Sequence, residues 1–295
     1  MRYNNILETI GNTPTVELKT FSPKPGVKIF AKLEGGNPGG SIKDRVALKM
    51  IRDALEKGLL SREKVLLEAT SGNTGIAMAM IAAILGYRFV AVMPDNVSME
   101  RTKLLKSYGA EIVLTDGSEG TNGAIRVAAE MVEKSGGLYV MLDQFNNPAN
   151  VQAHYETTGA EIINDVPEIT AFVAGMGTGG TLTGVGRRLK EYNPAIKIIG
   201  VEPPPNTRLQ GLRNMEAYSP PVFDPSILDL KLRAPEDECF ILARQLYTRE
   251  GISAGISSGA ALWGALEYGK TIAWGCIVTI FPDRGDKYLS TDLLI

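Results

Sequence analysis

The sequence contains few of the residue types on which most metal sites and nucleophilic catalysts depend. Its 295 residues include one histidine, His154, and two cysteines, Cys239 and Cys276. These three residues do not supply a conventional zinc site, and two cysteines do not make a disulfide framework. A Ser-His-Asp triad would have to use His154, which lies in the helix-like stretch 151–163, and no serine-elbow motif is present. We therefore expect a structural His154, no bound metal, and proton chemistry that relies on lysine, carboxylate or a cofactor.

Long apolar segments and strong charge of one sign are also missing. The longest unbroken apolar run is 76–85, and ten residues are too few to cross a bilayer. Residues 1–5 lack the apolar core of a signal peptide. A net charge of −2 and a pI of about 5.7 argue against nucleic acid or an anionic membrane as the main partner. With so few cysteines, these features predict a cytoplasmic protein that binds neither nucleic acid nor membrane.

Short apolar runs alternate with longer helical patterns along the chain. The predicted strands are 29–33, 65–68, 89–93, 111–114, 138–141, 171–174, 196–201 and 277–281. The predicted helices are 42–57, 75–85, 98–108, 123–134, 181–192 and 235–250. This alternation predicts an α/β fold with mostly parallel sheets, in which ligands bind at the carboxyl ends of the strands. The proline-rich stretch 203–235 is predicted to be a long surface excursion near the cleft.

Three glycine-rich loops each follow a predicted strand and precede a predicted helix. The first, 37–45, places Lys43 at the start of a helix; the second is 70–75 and the third is 177–181. Because all three lie at carboxyl ends of strands, we expect them to face one cleft. A lysine, a polar loop and an anion-binding loop are the parts needed to hold a phosphorylated aldehyde and to act on an amino acid. The sequence thus predicts a pyridoxal-phosphate enzyme.

The third loop also fits a rival function. Residues 175–180 match G-x-G-x-x-G, and Glu202 ends the next predicted strand, as in a dinucleotide-binding fingerprint. Backbone N–H groups at a helix N-terminus bind a single phosphate as well as a pyrophosphate. The hydroxyls of Thr178 and Thr181 favour a monophosphate, and a nicotinamide enzyme does not need Lys43. A nicotinamide-dependent oxidoreductase is therefore the alternative from another class.

Lys43 and the second loop suit the two ends of an amino-acid substrate. A lysine that forms an imine must be neutral when it attacks, and burial or the positive potential of a helix N-terminus lowers its pKa. In the second loop Thr70, Ser71, Asn73 and Thr74 offer more donors than an N-cap needs. An α-carboxylate would bind among such donors at the start of a helix.

The three motifs, in this order and spacing, resemble the β-family (fold type II) of pyridoxal-phosphate enzymes and most closely the cysteine synthases. The resemblance extends nearly end to end through 10–14, 93–96, 142–148, 255–259 and 288–291. Several of these segments, with 283–286, are most similar to the B-type enzymes. Two features depart from that pattern: the phosphate loop has Gly179-Gly180 as in A-type enzymes, and Pro282 stands where some B-type relatives have cysteine.

The resemblance implies two doubly wound, mostly parallel-sheet domains with pyridoxal 5'-phosphate in the cleft between them. Residues 37–145 would form the smaller, mobile domain that binds the substrate carboxylate, and 1–36 with 146–295 the larger domain that binds the cofactor phosphate. Lys43 would form the imine and then act as acid and base at the α-carbon. The phosphate would be held by Gly177, Thr178, Gly179, Gly180 and Thr181, and the substrate carboxylate by Thr70, Ser71, Thr74 and Gln144.

Two further side chains would contact the cofactor ring. Asn73 would bond the ring hydroxyl and Ser257 would face the pyridine nitrogen. A carboxylate in that place would keep the nitrogen protonated and make the ring a deeper electron sink, whereas a neutral hydroxyl need not. The serine therefore suits β-elimination followed by addition to an aminoacrylate, with closure of the smaller domain excluding water.

The activity implied is cysteine synthesis, in which a sulfur nucleophile replaces the O-substituent of an activated L-serine to give L-cysteine or S-sulfocysteine. The leaving group is acetyl or phosphoryl, and the donor is sulfide, thiosulfate or a carrier-protein thiocarboxylate. Arg213 lies in a segment, 208–214, that resembles relatives using O-phosphoserine, and would meet a phosphoryl group; a surface salt bridge is its structural alternative. The resemblance implies a homodimer, with a serine acetyltransferase or sulfur-carrier protein as further partners. Cystathionine β-synthase or serine/threonine dehydratase activity is the alternative within fold type II.

Overall fold

The structure, a computed structural model, describes residues 2–70, 72–97, 99–216, 218–291 and 293. Its strands are Thr15–Glu17 (β1), Val27–Leu33 (β2), Val65–Ala69 (β3), Arg88–Pro94 (β4), Glu111–Thr115 (β5), Tyr139–Met141 (β6), Ala171–Gly175 (β7), Lys197–Glu202 (β8), Leu230–Arg233 (β9) and Gly275–Phe281 (β10). Its α-helices are Lys43–Glu56 (α1), Asn73–Leu85 (α2), Met99–Ser107 (α3), Gly120–Lys134 (α4), Pro148–Ala153 (α5), Gly159–Asp165 (α6), Gly180–Tyr192 (α7), Glu236–Gln245 (α8) and Ile256–Thr271 (α9).

The strands form two sheets. The larger has the order β1-β2-β10-β7-β8-β9, in which only β1 runs antiparallel to its neighbour among the described pairings. The smaller has the order β5-β4-β3-β6 and is parallel throughout. The predicted α/β fold with mostly parallel sheets is confirmed. The strands of the smaller sheet all lie within the predicted domain 37–145, whose boundaries remain a prediction.

Helices cover both faces of the larger sheet. Val173 and Ile277 point to one face and pack with side chains of α9, whereas their neighbours Phe172 and Val278 point to the other and pack with α7. Successive side chains of a strand alternate between faces, so each strand must be apolar throughout when both faces are covered. This explains why the central strands read as unbroken apolar runs rather than as alternating patterns.

The smaller sheet is built in the same way. Leu66 packs with α2 on one face, and Leu67 packs with Ala124 and Ala128 of α4 on the other. Helix α2 contains the longest apolar run of the sequence and is buried along most of its length. Among the described helices, none is both long and apolar enough to span a bilayer.

All eight predicted strands are present, but β1 and α9 were not predicted, and three further regions differ from the prediction. The stretch 203–235 is not only a surface excursion, because β9 lies within it and pairs with β8 at the edge of the larger sheet. The predicted helix 235–250 ends as a π-helical turn, Leu246–Glu250, after α8. The helix-like stretch 151–163 is divided into α5, a π-helical turn His154–Thr158, and α6.

Candidate active site

A cavity of about 290 Å³ lies where the carboxyl ends of both sheets meet, lined by residues at the ends of β3, β7 and β10. The predicted site residues that line it are Lys43, Thr70, Asn73, Thr74, Gln144, Gly177, Thr178, Gly179, Thr181, Arg213 and Ser257. Gly180 is buried and does not line the cavity, and Ser71 lies outside the described residues. The structure thus brings the three glycine-rich loops to one cavity.

Lys43 begins α1 and is held in place through its backbone. The Ile42 N–H donates to the carbonyl of Pro282 (2.8 Å), which ties the start of α1 to the end of β10. The Lys43 ammonium makes no hydrogen bond or ion pair with any described residue, and its remaining exposed surface faces the cavity. Two other lysines with little exposure are bonded: Lys32 to Asp165 (3.2 Å) and Lys287 to the carbonyl of Gly39 (2.9 Å).

The surroundings of Lys43 favour its neutral form. Burial lowers the pKa of Lys43 to about 8, and the negative charge of Asp283 opposes this shift only in part. At pH 7 about one amine in ten is then unprotonated, far more than for an exposed lysine. A half-buried amine without a partner is unfavourable in a merely structural role, and it suits covalent attachment of an aldehyde.

The loop 177–181 connects β7 to the N-terminus of α7 and has room for an anion. Gly179 has φ +82°, and a Cβ on it would lie 2.4 Å from the Cβ of Phe223. A Cβ on Gly177 would lie 2.8 Å from the carbonyl oxygen of Gly211. Only glycine fits these two positions without a clash. The N-terminus of the 13-residue helix α7 offers N–H groups without intrahelical partners, although that of Gly180 is bonded to the hydroxyl of Thr178 (3.3 Å). A phosphate fits such a cradle.

His154 supports this loop from behind. It is fully buried; its Nε2 lies 3.2 Å from Oγ1 of Thr181 and its Nδ1 lies 3.0 Å from Oγ1 of Thr158. Burial lowers the pKa of His154 well below its usual value, and the charges of Lys43 and Arg45 add to this effect. The imidazole is therefore neutral at physiological pH and does not line the cavity.

The loop after β6, which carries Gln144, is fixed by a buried carboxyl group that sequence analysis did not single out. Glu68 on β3 accepts the backbone N–H groups of Asp143 (3.0 Å) and Gln144 (3.3 Å). Burial raises the pKa of Glu68 to about 7, although these N–H groups oppose the shift. The hydroxyl of Thr74 donates to Oε1 of Gln144 (2.7 Å), so the amide NH₂ of Gln144 is left to meet a carboxylate.

A second group, to which the sequence analysis assigned no role, follows β10. The carboxylate of Asp283 accepts from Nδ2 of Asn73 (2.6 Å) and from the hydroxyl of Tyr288 (2.6 Å), and Lys287 donates to Oδ1 of Asn73 (2.8 Å). Burial raises the pKa of Asp283 and lowers that of Lys287. The sequence did indicate where this group would lie, because the loop after the predicted strand 277–281 leaves the same edge of the sheet as the three glycine-rich loops.

Ser257 and Arg213 lie on the side of the larger sheet. Ser257 is buried in the first turn of α9, and its hydroxyl has no hydrogen-bond partner among the described residues. The half-buried guanidinium of Arg213 lies 4.9 Å from the ring centroid of Phe145 and 5.0 Å from that of Tyr218. Burial lowers the pKa of Arg213, and no described acidic residue pairs with it. It is a cavity cation rather than half of a surface salt bridge.

Glu202, the acidic residue required by the dinucleotide interpretation, is engaged elsewhere. It is buried at the end of β8 and pairs with Lys231 (3.1 Å) and Arg233 (3.3 Å) of β9. It does not line the cavity and cannot meet a ribose there. Nor do the described residues include a group of three or more histidine, cysteine or acidic side chains placed to hold a metal ion.

Residues 6–283 match the family model of the pyridoxal-phosphate dependent enzymes. This chain belongs to that family. It is 49% identical over 298 residues to the cysteine synthase of Aquifex aeolicus (strain VF5), with 98% of this chain and 91% of that protein covered. It is 47% identical over 290 residues to cysteine synthase B of Salmonella typhimurium (strain LT2), with 98% and 95% covered. The solved structure of an O-ureido-L-serine synthase superposes with a TM-score of 0.95 at 41% identity, covering 99% of this chain and 95% of that one.

These similarities confirm the family, the fold type II architecture and the cofactor that the sequence predicted, and the B-type resemblance with them. They also decide against the nicotinamide alternative, because the glycine-rich loop belongs to a pyridoxal-phosphate enzyme. The cavity fits that cofactor: a lysine without a partner among the described residues faces it, together with a helix N-terminus for the phosphate and a neutral hydroxyl.

Proposed function

We propose that this chain is a cysteine synthase, which replaces the O-substituent of an activated L-serine by a sulfur nucleophile. Relatives named cysteine synthase that cover nearly the whole chain support this activity. The observation that carries the assignment to this cavity is Lys43, an unpartnered lysine whose pKa is lowered to about 8 beside the polar and phosphate loops. The substrates are small molecules, as the size of the cavity suggests.

The residues divide the work by position. When bound, the cofactor supplies an electron sink for the α-carbon of the substrate. Lys43 provides the amine that attaches the aldehyde, and then moves the proton at the α-carbon. The residues that hold the α-carboxylate are Thr70, Ser71, Thr74 and Gln144, and Thr74 contributes its backbone N–H because its hydroxyl proton goes to Gln144. Those that hold the cofactor are Asn73 at the ring hydroxyl, Ser257 at the ring nitrogen, and Gly177, Thr178, Gly179, Gly180 and Thr181 at the phosphate.

Arg213 bears on the choice of substrate. An unpaired, half-buried cation at the cavity wall favours an anionic group on the substrate or on the sulfur donor. We assign it to a phosphoryl leaving group or to thiosulfate, while O-acetylserine and sulfide need no such contact. Cystathionine synthesis and serine dehydration, the alternatives within the fold type, would instead use unactivated serine.

The assignment is tested by steady-state rates with O-acetylserine and O-phosphoserine, each with sulfide and with thiosulfate. Lys43→Ala should lower cysteine formation by at least about a thousandfold and abolish borohydride labelling of the cofactor onto the chain. Lys49→Ala is the matched control, because Lys49 lies on the same helix in an exposed ion pair with Glu156, and its rates should be unchanged. Arg213→Gln should lower kcat/KM about tenfold or more for the anionic partner alone. Intact turnover in Lys43→Ala would refute the mechanism.

The remaining expectations concern the environment of the protein. We propose a cytoplasmic homodimer, each subunit of which has a smaller domain (37–145) and a larger domain (1–36, 146–295). A serine acetyltransferase or a sulfur-carrier protein would be a further partner. Light scattering on the purified protein gives the oligomeric state. Co-purification with either partner tests docking.

A further inference from the structure

Asn150 occupies an unusual place between the two ligand-binding loops. It lies on the short helix α5 and is fully buried. Its Nδ2 donates to the backbone carbonyl of Gln144 (2.8 Å) and to Oγ1 of Thr178 (3.0 Å). A backbone carbonyl only accepts, so the NH₂ group of Asn150 must face Gln144, which fixes the orientation of the amide. One buried amide thus joins the loop that carries Gln144 to the phosphate-binding loop 177–181.

We propose that Asn150 is a positioning residue for cofactor and substrate, which holds Thr178 as a hydrogen-bond donor and the Gln144 loop in register with it. This inference rests on the proposed roles of the two loops. Asn150 itself does not line the cavity, so it would act through Thr178 and Gln144 rather than by touching a ligand.

The effect on Thr178 follows from counting donors and acceptors. A hydroxyl has two acceptor sites and one proton. In Thr178 the oxygen already accepts from Asn150 (3.0 Å) and from the backbone N–H of Gly180 (3.3 Å). The single proton must therefore point elsewhere, and Thr178 lines the cavity. Asn150 in this way makes the threonine a donor toward a phosphate, which offers only acceptors.

Asn150 also fixes the position of the loop that carries Gln144. Gln144 is held through its N–H by Glu68 (3.3 Å) and through its carbonyl by Asn150 (2.8 Å), so the backbone is fixed on both sides of this residue. Gly180, the first residue of α7, also packs against Asn150, since a Cβ on Gly180 would lie 2.2 Å from Oδ1 of Asn150. That Oδ1 atom is buried and has no hydrogen-bond partner among the described residues. Leaving this oxygen unsatisfied is unfavourable, so the two hydrogen bonds of the NH₂ group are what favours the buried amide at this position.

The first experiment compares pyridoxal 5'-phosphate with pyridoxal, which lacks the phosphate, in binding to apoprotein. Asn150→Ala should raise the Kd of pyridoxal 5'-phosphate about tenfold and leave that of pyridoxal within about twofold. The matched control is Asn147→Ala, on the same helix end: Asn147 bonds Ala149 (3.0 Å) and Leu142 (2.8 Å) but not the phosphate loop. It should lower the melting temperature without this discrimination. Equal weakening of both ligands by Asn150→Ala would overturn the proposal.

A double-mutant cycle separates positioning from general stability. In a Thr178→Val background, Asn150→Ala should have less than about a twofold further effect on the Kd of pyridoxal 5'-phosphate, because the hydroxyl it orients is gone. The ³¹P resonance of the bound phosphate should shift in Asn150→Ala and in Thr178→Val alike. Asn150→Asp, which keeps the volume but replaces the donor, serves if the alanine variant does not fold. Additive effects in the cycle would refute the coupling, whatever the protein's turnover with O-acetylserine proves to be.

Discussion

At the scale of single residues, the partners of buried charges separate structural groups from reactive ones. Arg45 lies at the start of the same helix as Lys43, yet it pairs with both Glu34 (2.8 Å) and Glu161. Breaking such a pair would leave a buried charge uncompensated, so Arg45 is fixed in its charged form. Lys43 has no such partner among the described residues, and its protonation is free to follow pH in the range where the enzyme works.

The lowered pKa of Lys43 predicts how covalent uptake of the cofactor depends on pH. Only the neutral amine reacts, so the rate for apoprotein should rise about tenfold per pH unit below pH 8 and level off above it. The sign follows from the shift: a folded-state pKa below the ordinary 10.5 means that the folded chain releases this proton first. Stopped-flow absorbance with borohydride trapping measures the rate. Because the charge of Asp283 raises the pKa, Asp283→Asn should move the plateau to lower pH. A rate that still climbs beyond pH 10 would contradict the prediction.

At the scale of secondary-structure elements, the missed pieces share a physical cause. Helix α9 is buried along most of its length and has no polar face, so its sequence shows no amphipathic period. Its glycines, which argue against a helix by propensity, permit close approach: a Cβ on Gly259 would lie 2.0 Å from the carbonyl of Cys239 on α8. Strands β1 and β9 are short edge strands whose existence depends on the sheet they join. The central strands needed no such context, because continuous apolar runs identify them.

The site residues also differ in whether the sequence alone identifies them. Motifs at the carboxyl ends of predicted strands located Lys43, Asn73 and the loop 177–181 from the sequence, since chain direction alone brings those ends together. The supporting groups Glu68 and Asn150 could not be found in this way. Their roles arise from packing between segments that the sequence does not show to be neighbours, and nothing in their residue types marks them.

Gly184 allows α7 to pack closely against α5. A Cβ on Gly184 in α7 would lie 2.3 Å from the backbone carbonyl of Val151, beside the π-helical turn that begins at His154. Gly184→Ala should therefore cost about 2 kcal/mol or more of unfolding free energy, despite the better helix propensity of alanine. In the matched control Gly186→Ala, the new methyl meets the side chain of Ile227, which has more freedom to move, so the loss should be smaller. Urea unfolding of both apoproteins measures the difference, and equal losses would contradict it.

At the scale of the whole molecule, the two sheets are joined across the cavity by side chains from α2, from α3 and from the loop after β10. Ser290 donates to Glu100 on α3 (2.9 Å), and Asn73 on the smaller-sheet side bonds Asp283 on the larger (2.6 Å). The contact between Asn73 and Asp283 lies at the cavity itself, which both residues line. The cavity is therefore a property of the arrangement of both sheets rather than of either one.

Arg101 on α3 offers a test of whether contacts between the two sheets exclude water from the cavity. It lines the cavity, donates to Oε1 of Gln210 and lies 5.8 Å from the ring centroid of Tyr288, so it spans from the smaller-sheet side to the larger. Arg101→Gln should weaken the contacts between the two sides of the cavity and admit water, so the ratio of pyruvate to cysteine formed from O-acetylserine should rise about fivefold at limiting sulfide. Lys103→Gln, an exposed change on the same helix, should leave the ratio unchanged. Pyruvate is measured with a coupled lactate dehydrogenase assay and cysteine by its ninhydrin product. An unchanged ratio in Arg101→Gln, with cysteine formation intact, would show that this arginine does not keep water from the reacting carbon.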